Sequence, residues 1–211
     1  MSPPRAPPFV SAVSFALFDT LVDADLPDDP AGAVGDELRD RGVDVPEDWT
    51  DAYRETHVDA PAGAEVPLPA HVSRALASRG VDAPGNAARR AVVAAFDPTV
   101  TTRSGAADAV ARAREDGPVG LLANCAVPEL VGRVLVRSDL SRDDFDAIVS
   151  SVACGWRKPD RRAFERVADA LGIDPEDLTH VGADPSVDGG IAAVDGRFVR
   201  VGADGSGLRI D

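Results

Sequence analysis

SAVSFALFDTLVDAD (residues 11–25) is an apolar run of strand length that breaks into a turn at Asp19 and Thr20. Such a run, ending in small polar and acidic residues, is how an α/β protein carries functional groups to the end of a buried strand. Ala16 stands at the centre of the stretch, where its methyl group offers no chemistry.

Four later runs repeat the pattern: Val119 to Leu122 (VGLL), Ala147 to Val149 (AIV), Leu178 to Val181 (LTHV) and Arg197 to Val201 (RFVRV). Helical patterns lie between them, PELVGRVLVRSDL from Pro128, PDRRAFERVADALG from Pro159 and a short one after Pro185. Proline in a first turn starts a helix and Gly172 stops one. Strand and helix in alternation predict an α/β fold with a Rossmann-like parallel sheet and helices on both faces. From about Leu26 to Gly117 no strand is expected. AGAVGDELRDRG, DWTDAYRETHV, PAHVSRALASRG and GNAARRAVVAAF read as a helical insert after the first strand, and SGAADAVARARE returns the chain to the sheet. The closing GADGSGLRID reads as a loose tail.

A chain of 211 residues is long enough for one core with an insert. Its 36 acidic and 22 basic residues give a net charge of −14, which repels phosphate backbones and anionic membranes. Nucleic acid and membrane are therefore not expected as partners. Lys158 is the only lysine among the 22 basic residues. That skew suggests a high-salt cytoplasm or a GC-rich genome and marks Lys158 as a candidate functional group, against the plainer reading of one stray exposed lysine. Cys125 and Cys154 form no metal-type cluster and read as reduced thiols. Arg5 precedes an apolar stretch that runs into Asp19 without a small-residue cleavage site, and no segment is apolar for long enough to span a bilayer. The expected location is cytoplasmic.

Ligands of such a sheet sit at the carboxyl ends of its strands. There the sequence places Asp19 and Thr20, then Ala123 and Asn124, then Lys158 in SSVACGWRKPD, then Ala183, Asp184 and Asp188. In this order FALFDTLVD, GLLANC, GWRKPDRRAFE and THVGADPSVDGG resemble the four motifs of the haloacid dehalogenase (HAD) superfamily. The resemblance implies a core of residues 1–24 and 103–211, with residues 25–102 as a type 1 helical cap. It also implies a magnesium-dependent hydrolase ancestry.

Carried over residue by residue, the resemblance puts Ala16 at the place of the nucleophilic Asp and Phe18 at that of the second acid in phosphatases, or of the aromatic residue in dehalogenases. Ala123 replaces the hydroxyl residue that bonds a phosphoryl group, while Asn124 is kept. Lys158 matches the cationic lysine; having lost its expected carboxylate, it must pair with another acid, an anion or water, and Asp184 and Asp188 are the nearest candidates. For magnesium, counting from Gly182 reaches Ala183, whereas counting back from Asp188 gives an Asp184-x-x-x-Asp188 pair. The metal site is weakened or lost on either count.

The sites expected are Lys158 and a displaced Asp19 for any catalysis, Thr20, Asn124 and Lys158 for substrate, and Asp184 and Asp188 for metal. Asp19 reads as a turn or capping residue ahead of a nucleophile, and the plainer alternative for the Asp184 and Asp188 pair is helix capping with halophilic surface charge. His180 reads as a satisfied core histidine, and Trp156 as loop packing beside the pocket. The expectation is an inactive or strongly impaired HAD-like hydrolase that keeps a small anionic or phosphorylated metabolite as ligand, with a homo-oligomer or protein partner in keeping with such a role. The alternative is an active magnesium-dependent phosphatase or dehalogenase-like hydrolase using a displaced carboxylate.

Overall fold

The structure, a computed structural model, describes residues 11–201. Residues 1–10, with Arg5, and the tail from Gly202 lie outside the described residues. Strand β1 (Ala12–Phe15) leads through the short β2 (Val22–Ala24) into helices α1 (Pro30–Asp40), α2 (Trp49–Arg54), α3 (Leu68–Ala77) and α4 (Ala87–Ala95). Strand β3 (Val100–Thr102) brings the chain back to α5 (Ala106–Asp116), β4 (Val119–Ala123), α6 (Leu130–Arg137), β5 (Ala147–Ser150), α7 (Ser151–Cys154), α8 (Arg161–Leu171), β6 (Leu178–Gly182) and β7 (Arg197–Arg200).

The main sheet runs β5-β4-β1-β6-β7 with every neighbouring pair parallel. Side chains alternate across a strand, so Phe15, Leu121 and Val181 pack with residues of α5 and α6 while Ala12, Leu122 and Leu178 pack with α8 on the other face. Ser14 and His180, both polar and both fully buried, are register partners on the α8 face. Helix starts follow the sequence signals. Asp29 accepts from the Gly32 amide with Pro30 in the first turn, and Asp160 accepts from the Arg162 amide. Gly172 ends α8 with φ 71°, a left-handed conformation that glycine adopts without strain.

The expectation of no strand between residues 26 and 117 is corrected by β3, which pairs antiparallel with β2, Val22 opposite Thr102 and Ala24 opposite Val100. Three partly exposed residues carry no apolar run, but the β-branched Val100, Thr101 and Thr102 suit a strand. The two strands form a stem from which the four helices hang. The short helix expected after Pro185 is a 3-10 turn over Asp188–Val194. Among the described residues no helix is long and apolar enough to cross a membrane.

Candidate functional site

The ends of β1, β4 and β6 surround a cavity of about 250 Å³, lined among others by Ala16, Phe18, Asp19, Asn124, Lys158 and Asp188. None of its walls comes from the helical insert. Ala16 stands at the mouth of β1, its amide donating to the Val181 carbonyl at 2.9 Å.

Lys158 is 3% exposed, and its ammonium donates to Asp188 Oδ1 at 2.6 Å. Asp188 Oδ2 accepts from the Asp184 amide at 3.0 Å, so both oxygens of this 4% exposed carboxylate are engaged. His180 Nε2 stands 3.3 Å from both Lys158 Nζ and Asp188 Oδ1, its Nδ1 is 2.8 Å from Ser14 Oγ, and its ring meets Phe164 edge-on. Gly182 makes the arrangement fit, because a Cβ there would come within 2.2 Å of the Asp188 carboxylate. A buried cation, a buried anion and a neutral imidazole thus form one connected network.

The electrostatics follow from burial and pairing. Burial tends to raise the Asp188 carboxyl, but the bonds from His180 and Lys158 outweigh it and hold the group well below the usual carboxylate range. Burial pulls the Lys158 ammonium down and Asp188 opposes that pull. Burial, with Lys158 adding to it, lowers His180 to about 4.

Asn124 holds the lysine loop from both sides: its Oδ1 accepts from the Lys158 amide at 2.8 Å and its Nδ2 donates to the Lys158 carbonyl at 2.9 Å. Asp19 lines the cavity from an exposed left-handed turn with φ 59°. Its carbonyl accepts from Arg103, and its amide donates to Val22. Thr20 is not on the cavity wall. It is buried, and its hydroxyl has no hydrogen-bond partner among the described residues. Asp184 is exposed and caps Ser186, accepting from its amide at 2.8 Å and its hydroxyl at 2.7 Å.

Magnesium, which the resemblance implies, takes six oxygen ligands in an octahedron. Ala16 and Ala183 present methyl groups, Asp188 is occupied by an ammonium and an amide, and Asp184, exposed at the cavity rim, is engaged by the Ser186 amide and hydroxyl. Among the described residues no three His, Cys, Asp or Glu groups converge to hold a metal ion. The donors present do not fit this ion. Millimolar magnesium chloride is accordingly expected to leave the thermal midpoint where sodium chloride of equal ionic strength leaves it; a saturable rise abolished by Asp184→Asn would reverse that assignment.

Sequence reasoning did not single out Ser14 as part of this network, nor His180 as a neighbour of Lys158. The available signal was two polar residues inside two apolar strands that later prove adjacent. Trp156 lies under the Arg162 guanidinium, 3.2 Å from the ring centre, and not on the cavity wall. Cys125 is buried, burial pushes its thiol up, and Cys125 and Cys154 are both free thiols. His57 and His71 bond main-chain carbonyls within the insert.

No family model and no curated protein matches the sequence. Solved structures do match in fold. CbbY from Rhodobacter sphaeroides, as an aspartate-to-asparagine mutant in complex with xylulose-(1,5)bisphosphate, is 17% identical, with 93% of this chain and 88% of that one covered and a TM-score of 0.60. The HAD family enzyme bt-2542 from Bacteroides thetaiotaomicron, in complex with magnesium and inorganic phosphate, is 16% identical over 92% and 96% of the chains at a TM-score of 0.60. Its aspartate-to-alanine mutant, also with magnesium and phosphate, matches at a TM-score of 0.56 with 15% identity over 92% and 95%. L-2-haloacid dehalogenase from Xanthobacter autotrophicus is 21% identical over 92% and 78%, at a TM-score of 0.55. A five-stranded parallel sheet, an insert hung from a β-stem and this agreement along nearly the whole chain together give the protein the HAD-like hydrolase fold.

Proposed function

We propose that this chain is a hydrolytically silent protein of HAD-like fold, which binds a small anionic or phosphorylated metabolite without turning it over. In this reading residues 25–102 act as the cap and residues 1–24 with 103–211 as the core. The single observation that carries it is the Lys158–Asp188 ion pair, set in a cavity whose β1 wall is the methyl group of Ala16.

Covalent hydrolysis on such a scaffold needs a carboxylate to attack, an acid to protonate the leaving group and donors to hold the reacting oxygens. Ala16 cannot attack, Phe18 has no proton to give, and Ala123 has no hydroxyl. The Lys158 charge is already compensated by Asp188. None of the three acids on the wall is a ready substitute: Asp184 is exposed and accepts from the Ser186 amide and hydroxyl. Asp188 has an ammonium on one oxygen and an amide on the other, and its lowered basicity weakens it as a nucleophile. Asp19 lies three residues beyond Ala16 on a left-handed turn. Removing a covalent nucleophile costs on the order of 10⁶ in turnover where this has been measured. The aspartate-to-alanine mutant of bt-2542, which shares this fold, is in complex with magnesium and inorganic phosphate.

Purified protein with magnesium is expected to release phosphate from a panel of small phosphoesters, and halide from 2-haloacids, no faster than a heat-inactivated control. Ala16→Asp alone is expected to stay at that background, because Asp188 keeps Lys158 and Phe18 supplies no proton. Turnover that survives repurification overturns the reading, and its disappearance in Asp19→Asn assigns attack to the displaced carboxylate.

A further inference from the structure

A second cleft, of about 560 Å³, opens between the helical insert and the core. Its walls bring Arg41, at the end of α1, and Arg89 and Arg90, on α4, to face Arg133 on the core helix α6. Only Asp97 and Glu129 oppose them among the lining residues. The lining carries a net two positive charges, on a chain whose own net charge is −14. The strand-end cavity has the opposite balance, with Lys158 facing Asp19, Asp184 and Asp188.

The arginines are partly fixed and partly unsatisfied. Arg133 donates to the Val93 carbonyl at 3.0 Å, the Phe96 carbonyl at 2.9 Å and Asp97 at 2.8 Å, which locks its guanidinium against the end of α4. Arg41 is tied to the Glu37 carbonyl and carboxylate. Yet the Nε–H groups of Arg41 and Arg133 are both buried with no acceptor, two of the three such atoms among the described residues. A buried donor without an acceptor is unfavourable, so neither guanidinium is fully satisfied by the protein itself. Arg89 is held by Glu129 at 2.6 Å, whereas Arg90 is exposed and has no acidic partner among the described residues.

We infer that this arginine cleft is the anion-binding site of the protein, and that its ligand is a small aliphatic polyanion bearing phosphoryl or carboxylate groups. Guanidinium forks suit planar or tetrahedral oxyanions, which they hold by paired hydrogen bonds. The volume lies in the range of small-molecule sites. No aromatic side chain lines the cleft, so it offers no ring on which a nucleobase would stack. A ligand here touches α1, α4 and α6 together and so clamps the insert to the core. The inference rests on the proposed reading for the class of ligand alone; it does not require that hydrolysis be absent.

The test is calorimetric titration of the full chain with inorganic pyrophosphate and, separately, with citrate, at constant ionic strength. One saturable site is expected for at least one of them, and the tighter of the two tells whether phosphoryl or carboxylate oxygens are preferred. Arg90→Gln and Arg41→Gln are each expected to weaken binding at least tenfold. Glu129→Gln, which removes a competing carboxylate, is expected to tighten it several-fold, a gain that loss of folding cannot mimic. Absence of saturable binding by either anion overturns the inference, as does binding that is indifferent to all three substitutions. Neither result bears on turnover, which is read separately from phosphate release.

Discussion

Asp188→Ala is expected to lower the stability of the protein by about 3–5 kcal/mol, the usual cost of leaving a buried charge without its partner. Lys158 is 3% exposed and its ammonium has one anionic neighbour, Asp188 at 2.6 Å, so the variant must either bury a bare cation or strip its proton. For a chain of this size each kcal/mol moves the thermal midpoint by roughly 2–4 °C, giving a fall of about 10 °C. The variant also frees the Asp184 amide, which donates to Asp188 Oδ2. The informative comparison is a double-mutant cycle with Lys158→Met. Removing both charges replaces an ion pair by apolar contact, which is often neutral, so the double variant is expected to recover most of the loss. A midpoint for Asp188→Ala within 2 °C of the parent would mean that the pair is not buried together in solution, and the account of Lys158 as a spent charge would fall with it.

The strands were legible because each apolar run is cut off by a change of chemistry at its end: Phe18 to Asp19, Ala123 to Asn124, Gly182 to Asp184. Helices α1 and α8 announced themselves through Asp29 with Pro30 and through Asp160 with Gly172, local signals that need no tertiary contact. Strand β3 was not legible, since Val100, Thr101 and Thr102 become a strand only by pairing with β2, about 78 residues earlier in the chain. The same limit governs the site. Lys158 stood out by rarity, and the need for a substitute acid followed from Ala16. That Asp188 rather than Asp184 fills the role depends on the Asp188–Val194 turn laying its first carboxylate over Gly182, which composition does not encode. Asn124, expected among the substrate residues, lines the cavity and also grips the Lys158 main chain, a contact that its place in the sequence does not announce. The arginine cleft escaped attention for a related reason. Its four cations come from positions 41, 89, 90 and 133, and in a chain where arginine is nearly the sole basic residue no local cluster marks them.

Acid is expected to unfold the protein from an unusually high pH, and His180 is the cause. The imidazole is completely buried between Ser14 on β1, Phe164 on α8 and the Lys158–Asp188 pair, and its folded value is lowered to about 4 from 6.5. Between those two values the unfolded chain binds a proton that the folded chain refuses, so stability rises with pH across the window and is lost as pH falls from about 6.5 toward 4. A shift of that size corresponds to roughly 3 kcal/mol. Asp188, held below the usual carboxylate range, contributes with the same sign at lower pH: its share is present above the ordinary carboxylate value and disappears as acid protonates it. Urea unfolding measured at half-unit steps from pH 8 to pH 4 is therefore expected to show a decline that begins near pH 6.5. His180→Gln keeps a polar group opposite Ser14 without a titrating nitrogen, and is expected to move that onset down into the carboxylate range. A parent protein flat from pH 7 to pH 5, or a variant with an unchanged onset, would show that the imidazole is not shut away from protons as the Ser14–His180–Asp188 geometry requires.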